Sequence, residues 1–241
     1  MAGHSKWAKV KHIKAVVDAK RGKLFSKLAR EITIAVRAGG PDPEFNPRLR
    51  MVLLKCKAAN MPHENIERAI KRGTGAEGGT AFEEVTYEVF APQGVAILVE
   101  ATTDNRNRTS AEIRTIVTRN GGTIATPGAV SRLFQRKGQI IVSRDAADED
   151  KLMEIALDAG AEDFKSEPEG YEILTDPSKL ENVHKAIEAA GIKCEAAEIT
   201  EVPIVTVPVT DPNVAQSINK LLEALDDHDD VKEVYCNAEL P

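Results

Sequence analysis

Through the first seventy residues, apolar positions recur at helical spacing. Between residues 20 and 38, Leu24, Phe25, Leu28, Ile32, Ala35 and Val36 share one arc of a helical wheel. Lys20, Lys23, Lys27, Arg30 and Arg37 fall opposite, with Ile34 as the one apolar residue among them. Gly39-Gly40-Pro41 ends this helix, because glycine suits the C-cap and proline cannot continue it. A second helix is predicted over 48–59, with Leu49, Val52, Leu53 and Cys56 on one face. A third starts near Pro62, a residue suited to the first helical position, and turns Ile66, Ala69 and Ile70 inward. Lys71 and Arg72 in its last turn complement the helix dipole. Helices this short bury little alone, so they predict one small helical domain.

The glycine-rich stretch 73–80 reads as a linker, and beyond it the period changes from helical to alternating. Strands are predicted over 85–90 and 94–101 around a Pro-Gln-Gly turn. Thr109-Ser110-Ala111-Glu112 reads as a capping box opening a helix that stops at Asn120-Gly121-Gly122. Strands over 130–135 and 139–143 flank Arg136-Lys137-Gly138, taken as a turn. Helix 148–159, strand 171–174, helix 177–190 and strand 194–201 follow, and the two helices end alike in Ala159-Gly160-Ala161 and Ala190-Gly191-Ile192. Residues 202–209 read as a strand carrying Pro203 and Pro208, before a helix over 212–225 and a last strand over 231–236.

This order predicts an α+β multidomain fold: an N-terminal three-helix domain, then two α+β domains of the ferredoxin-like kind, one inserted in the other. The segment 81–128 supplies two strands and a helix that lack partners unless 203–241 returns to them. The expected boundaries are therefore 1–80 for the helical domain and linker, 81–129 with 203–241 for the second domain, and 130–202 for the inserted one.

Composition narrows the class. Of 241 residues, 42% are hydrophobic and 29% charged, the balance of a globular chain. Aromatics are 4% with one Trp, too few for rows of stacking side chains on single strands. No run reaches the roughly 18 apolar residues of a membrane helix, and the N-terminus lacks an apolar signal core, so neither membrane nor secretion is expected. Cys56, Cys194 and Cys236 are odd in number and far apart, which excludes a disulfide framework and a CxxC metal site and fits a reducing cytoplasm.

Net charge is −6, but it is unevenly spread. Residues 1–80 hold 17 Lys+Arg against 7 Asp+Glu, and 105–144 hold 8 against 1. Residues 145–241 hold 7 against 25. Such asymmetry predicts a polyanion partner for the basic stretches, while the acidic stretch limits indiscriminate adhesion by repelling the same partner.

The strongest candidate is the lysine-rich start and the helix it leads into: Lys6, Lys9, Lys11, His12, Lys14, Lys20, Arg21, Lys23, Lys27 and Arg30. Residues 1–30 carry nine Lys+Arg against one acid, Asp18, whereas a merely solvated face mixes signs. Cations along one helix face can follow a line of phosphates and release its counterions. Trp7, among these lysines, has two readings: a stacking contact on a base or sugar, or a staple pinning the arm to the helices. A second candidate is Asp104-Asn105-Arg106-Asn107-Arg108-Thr109, where Arg106 and Arg108 stand at a helix N-terminus that favours phosphate. Arg114, Arg119, Arg132, Arg136 and Lys137 could extend that surface; alternatively, the arginines pair with acids elsewhere.

Asp226-Asp227-His228-Asp229-Asp230 lacks the ligand spacing, glycine and terminal glutamate of an EF-hand loop, and is expected to be a solvated acidic turn. No GxxxxGK(S/T), GxGxxG after a strand, GxSxG or HExxH occurs, and His4 and His12 are a weak ligand pair. No catalytic residues, metal, cofactor or small-molecule substrate is expected.

Several strings resemble the YebC family over essentially the whole chain. They include Met1-Ala2-Gly3-His4-Ser5-Lys6-Trp7, Gly39-Gly40-Pro41-Asp42-Pro43, Asn46-Pro47-Arg48-Leu49-Arg50, Asp104 to Thr109 and the ending Asp229-Asp230-Val231-Lys232-Glu233-Val234-Tyr235. That family is known as probable transcriptional regulatory proteins of the bacterial cytoplasm. It includes a mitochondrial translational activator of cytochrome oxidase subunit I, and its bacterial members are linked to translation at the ribosome. The resemblance implies three domains, no enzymatic activity and a nucleic-acid partner: DNA, or ribosomal RNA or tRNA at the ribosome. A protein–protein adaptor acting through the acidic domain is the third reading.

Overall fold

A computed structural model describes residues 6–7, 18–76, 78–79 and 81–241. Two compact units divide the chain: Met1–Phe134 with Pro203–Pro241, and Gln135–Val202. The fold is α+β, with an N-terminal helical part and one α+β unit inserted in the chain of the other.

The helical part includes α1 (Asp18–Gly39), α2 (Pro47–Ala58) and α3 (His63–Gly73). The arc read from the wheel is its core: Leu28, Ile32, Ala35 and Val36 of α1 pack with Leu49, Val52 and Cys56 of α2 and Ala69 of α3. Ile34 is buried as well, so α1 is covered on more than its apolar arc. Gly73 permits the close approach of α3 to α1, since a Cβ there would lie 2.6 Å from Val36 Cβ and 3.0 Å from the Thr33 carbonyl. Asn46 fixes the loop between α1 and α2. Its amide donates to the Ala35 and Gly40 carbonyls at 2.8 Å each, and its Oδ1 accepts from Leu49 N at 3.0 Å as the N-cap of α2.

In the same unit, β1 (Glu83–Phe90), β2 (Ala96–Thr103), β3 (Thr123–Ile124) and β9 (Val231–Cys236) form a sheet in the order β3-β1-β2-β9. Antiparallel register sets Val89 opposite Ile97 and Val99 opposite Val234. These side chains meet Ile113 and Val117 of α4 (Arg106–Arg119) and Ile218, Leu221 and Leu222 of α7 (Pro212–Asp226). The other face carries Ala96, Leu98 and Tyr235 against Val130 and Phe134. Burial on both faces explains the unbroken apolar run of β2. The Glu88 carboxylate anchors the loop crossing that second face, accepting from the N–H groups of Gly128, Val130 and Ser131.

The inserted unit runs β4 (Phe134–Ser143), α5 (Glu149–Asp158), β5 (Asp163–Glu167), β6 (Gly170–Thr175), α6 (Leu180–Ala189) and β7 (Ala196–Pro203). Sheet order β5-β6-β4-β7 and the βαββαβ sequence of elements make it ferredoxin-like.

Four local expectations are corrected. Helix α4 begins at Arg106 with Asn105 as N-cap, so Thr109 lies inside the helix and the capping-box reading fails. Strands over 130–135 and 139–143 are one strand preceded by a short 3-10 turn; Gly138 sits within it because a Cβ would meet Leu180 Cβ at 2.9 Å. Polar β5 was not expected; it is an edge strand, where polar residues are normal. The strand over 202–209 shrinks to β8 (Val207–Pro208), paired in parallel with β10 (Ala238–Glu239). No helix among the described residues is long and apolar enough to cross a membrane.

Candidate nucleic-acid interface

The basic side of α1 carries exposed Lys20, Arg21 and Lys23 and half-buried Lys27 and Arg30. Their placement follows from the apolar arc, which fixes the rotation of the helix against α2 and α3 and turns the cations away from that core. Three of them meet the turn between α7 and β9, the segment expected to be merely solvated. Lys23 Nζ donates to the Asp227 carbonyl at 3.1 Å and to its Oδ1 at 3.2 Å, and lies 3.8 Å from Asp229 Oδ1. Lys27 Nζ donates to the Asp226 carbonyl. Burial pushes the Lys27 pKa below its ordinary value, outweighing the opposing pull of Asp226, Glu233 and Asp227.

Asp230 is the fixed point of this turn. Its side chain is 3% exposed and accepts from Arg30 at 2.6 Å on one oxygen, and from Arg108 at 2.6 Å and Thr109 at 2.8 Å on the other. Burial alone would raise its pKa, but the two guanidinium groups and the hydroxyl prevail and hold it at about 2. The same pairing raises Arg108. Thr102 N donates to the Asp230 carbonyl at 2.7 Å, which ties the turn to β2. Arg30 also stands over the Phe82 ring, 5.1 Å from its centre.

His228 joins the turn to α4. Its Nδ1 accepts from Asp230 N at 3.0 Å, so the neutral ring carries its proton on Nε2 and donates to Glu112 Oε2 at 2.6 Å. Glu112, His228 and Asp230 place ligand atoms within 4.8 Å of one another. A cation there would face Arg30 and Arg108, which already hold both Asp230 oxygens, so this donor set fits a hydrogen-bond network rather than a metal. A cleft of about 420 Å³ opens beside it, lined by Lys23, Arg30, Arg108, Glu112 and residues 227–230.

The structure thus brings Lys23, Lys27, Arg30 and Arg108 to one place. Arg106 stands apart, exposed and 3.8 Å from Glu83. Arg114 and Arg119 are exposed on α4, with no carboxylate in ion-pair range among the described residues. Within the inserted unit, Arg136 and Lys137 pair with Glu201 and Glu162. Trp7 is buried, which favours the staple reading, and Lys6 beside it is half-buried. Lys9, Lys11, His12 and Lys14 lie outside the described residues. Sequence reasoning missed Asp230, His228 and Thr109 as members of this site, because their partners are distant in the chain.

Two family models match the chain: the TACO1/YebC protein N-terminal domain over residues 5–76, and the TACO1/YebC second and third domain over residues 82–238. A protein of Persephonella marina described as a probable transcriptional regulatory protein is 54% identical over 100% of this chain and 96% of its own length. One of Aquifex aeolicus with the same description is 54% identical over 100% and 97%. A crystal structure of a conserved hypothetical protein from Aquifex aeolicus superimposes with a TM-score of 0.89 at 53% identity, over 98% of each chain.

Proposed function

Because the chain belongs to the TACO1/YebC family, we propose that it is a non-enzymatic, nucleic-acid-binding regulator of gene expression. The carrying observation is the basic side of α1, where Lys20, Arg21, Lys23 and Lys27 gather opposite a packed core, the last two also meeting the acidic turn after α7. A rigid helix with cations at such spacing can track phosphates without reading bases. The relatives described as probable transcriptional regulatory proteins support a regulator. The cluster of Glu112, His228 and Asp230 is engaged in its own hydrogen bonds, which supports a binding rather than a catalytic role.

A second reading is a translation factor docking on ribosomal RNA or tRNA. It is favoured by α3, whose first turns carry Glu64 and Glu67, unlike a recognition helix that must enter a DNA groove. Shape-reading of structured RNA needs no such helix. The test is co-sedimentation of the tagged protein with ribosomes, and gel shift on duplex DNA, beside the variant Lys23→Glu with Lys27→Glu. Ribosome association lost in the variant favours translation; duplex binding lost in the variant favours transcription. Unchanged binding of both targets by the variant refutes α1 as the interface.

A further inference from the structure

The turn after α7 has one fixed end and one exchangeable end. Asp230 is buried and held by Arg30, Arg108 and Thr109. Asp227 and Asp229 have exposed carboxylates that meet the ammonium of Lys23 at 3.2 and 3.8 Å, and Asp226 gives its carbonyl to Lys27. Exposed pairs of this kind are weak and salt-sensitive, and their carboxylates return to water at little cost.

We propose that Lys23 and Lys27 are a phosphodiester grip, and that Asp226, Asp227 and Asp229 occupy it in the free protein where phosphates sit in the bound one. The inference rests on the nucleic-acid reading above and adds to it which cations bind and what holds them until then. The chemistry of the two occupants matches: each ammonium donates to oxygen atoms, and the turn offers carbonyl and carboxylate oxygens in a row along α1. A nucleic acid brings a denser row of charge and releases its counterions on contact. A lone anion does neither and does not displace the turn. Arg30 and Arg108 stay with Asp230 and His228 stays with Glu112, so the exchange is made by the exposed Asp227 and Asp229 side chains while the turn remains attached.

The experiment measures fluorescence anisotropy of the full chain on a duplex DNA of about 30 base pairs and on a structured hairpin RNA, over about 50–200 mM salt. Asp227→Asn with Asp229→Asn removes the two carboxylates that meet Lys23 and leaves the carbonyl contacts of Asp226 and Asp227 in place. Glu44→Gln with Glu67→Gln removes equal charge from residues that do not pair with either lysine. The grip variant is expected to bind about three- to ten-fold more tightly than the native chain, with a steeper salt slope, and the control to change less than about two-fold. Adding Lys23→Gln and Lys27→Gln to the grip variant is expected to erase the gain. A gain on one probe alone supports the grip and identifies its nucleic acid. A gain no larger than the control's, or one that survives loss of both lysines, overturns the grip while native binding leaves the functional reading standing. Absence of binding by every protein on both probes overturns both.

Discussion

Asp230→Asn isolates a buried charge held by two guanidinium groups and a hydroxyl. The change keeps the side-chain volume and removes the carboxylate shared by Arg30, Arg108 and Thr109. The carboxylate pKa falls from the ordinary 3.8 to about 2 in the fold, which at about 1.36 kcal/mol per pH unit corresponds to about 2 kcal/mol. Water at the half-exposed Arg108 screens part of this, while loss of hydrogen bonds adds to it, so the expected cost at pH 7 is about 2 kcal/mol. It stays below the figure for a stranded buried charge, because Arg30 keeps the Thr102 and Asp229 carbonyls and Arg108 keeps Asp104. A carboxylate whose folded pKa is depressed contributes fully above its unfolded pKa and loses that contribution as pH falls through the folded value. The difference between native chain and variant should therefore shrink by about 1 kcal/mol between pH 7 and pH 3. Equilibrium urea unfolding followed by circular dichroism at the two pH values measures it. A difference below about 0.5 kcal/mol at pH 7, or one equal at both pH values, would refute the assignment of Asp230 as a charged fastener.

Two further substitutions probe the scaffold. Gly138→Ala drives a methyl group to within 2.2 Å of Thr175 Oγ1 and 2.9 Å of Leu180 Cβ, so it should destabilise the inserted unit by about 1–3 kcal/mol, read as faster amide exchange over residues 135–202. Asn46→Ala removes the α2 cap and two buried bonds to the Ala35 and Gly40 carbonyls, and should cost about 2 kcal/mol in chemical denaturation.

Legibility in the sequence followed the range of the interactions. Helix α1 was readable because its core face is a local period, and the helix ends where Gly40 takes a φ of +89. The insertion was readable because two strands and a helix needed partners, which β9 supplies by pairing with β2. Gly138 misled because glycine punctuates turns and also marks close approaches in strands, and only the position of Leu180 distinguishes the two. Thr109 misled for a similar reason. The sequence Thr-x-x-Glu satisfies the pattern of a cap, but Asn105 caps first, and the Thr109 hydroxyl points to Asp230 and Thr103 instead.

The charge pattern shows why the site was only half legible. Summing charge over stretches of chain ranks α1 as basic and the C-terminal segment as acidic, and both statements are true. Coulomb energy depends on separation in space, however, and Lys23 finds Asp227 across 204 positions of sequence. Opposite signs far apart in a chain fit an external polyanion or an internal pair, and the linear count, which pointed to the polyanion, carries no distances that would reveal the pair. Burial discriminates between them. At Asp230 the surrounding protein excludes water, so the pair with Arg30 and Arg108 is internal. At Lys23 both partners face solvent, so the internal pair is weak enough for a denser anion to replace it. One acidic turn therefore holds two kinds of pair, buried at Asp230 and exposed at Asp227 and Asp229, and the exposure of each carboxylate, rather than its sign, separates them.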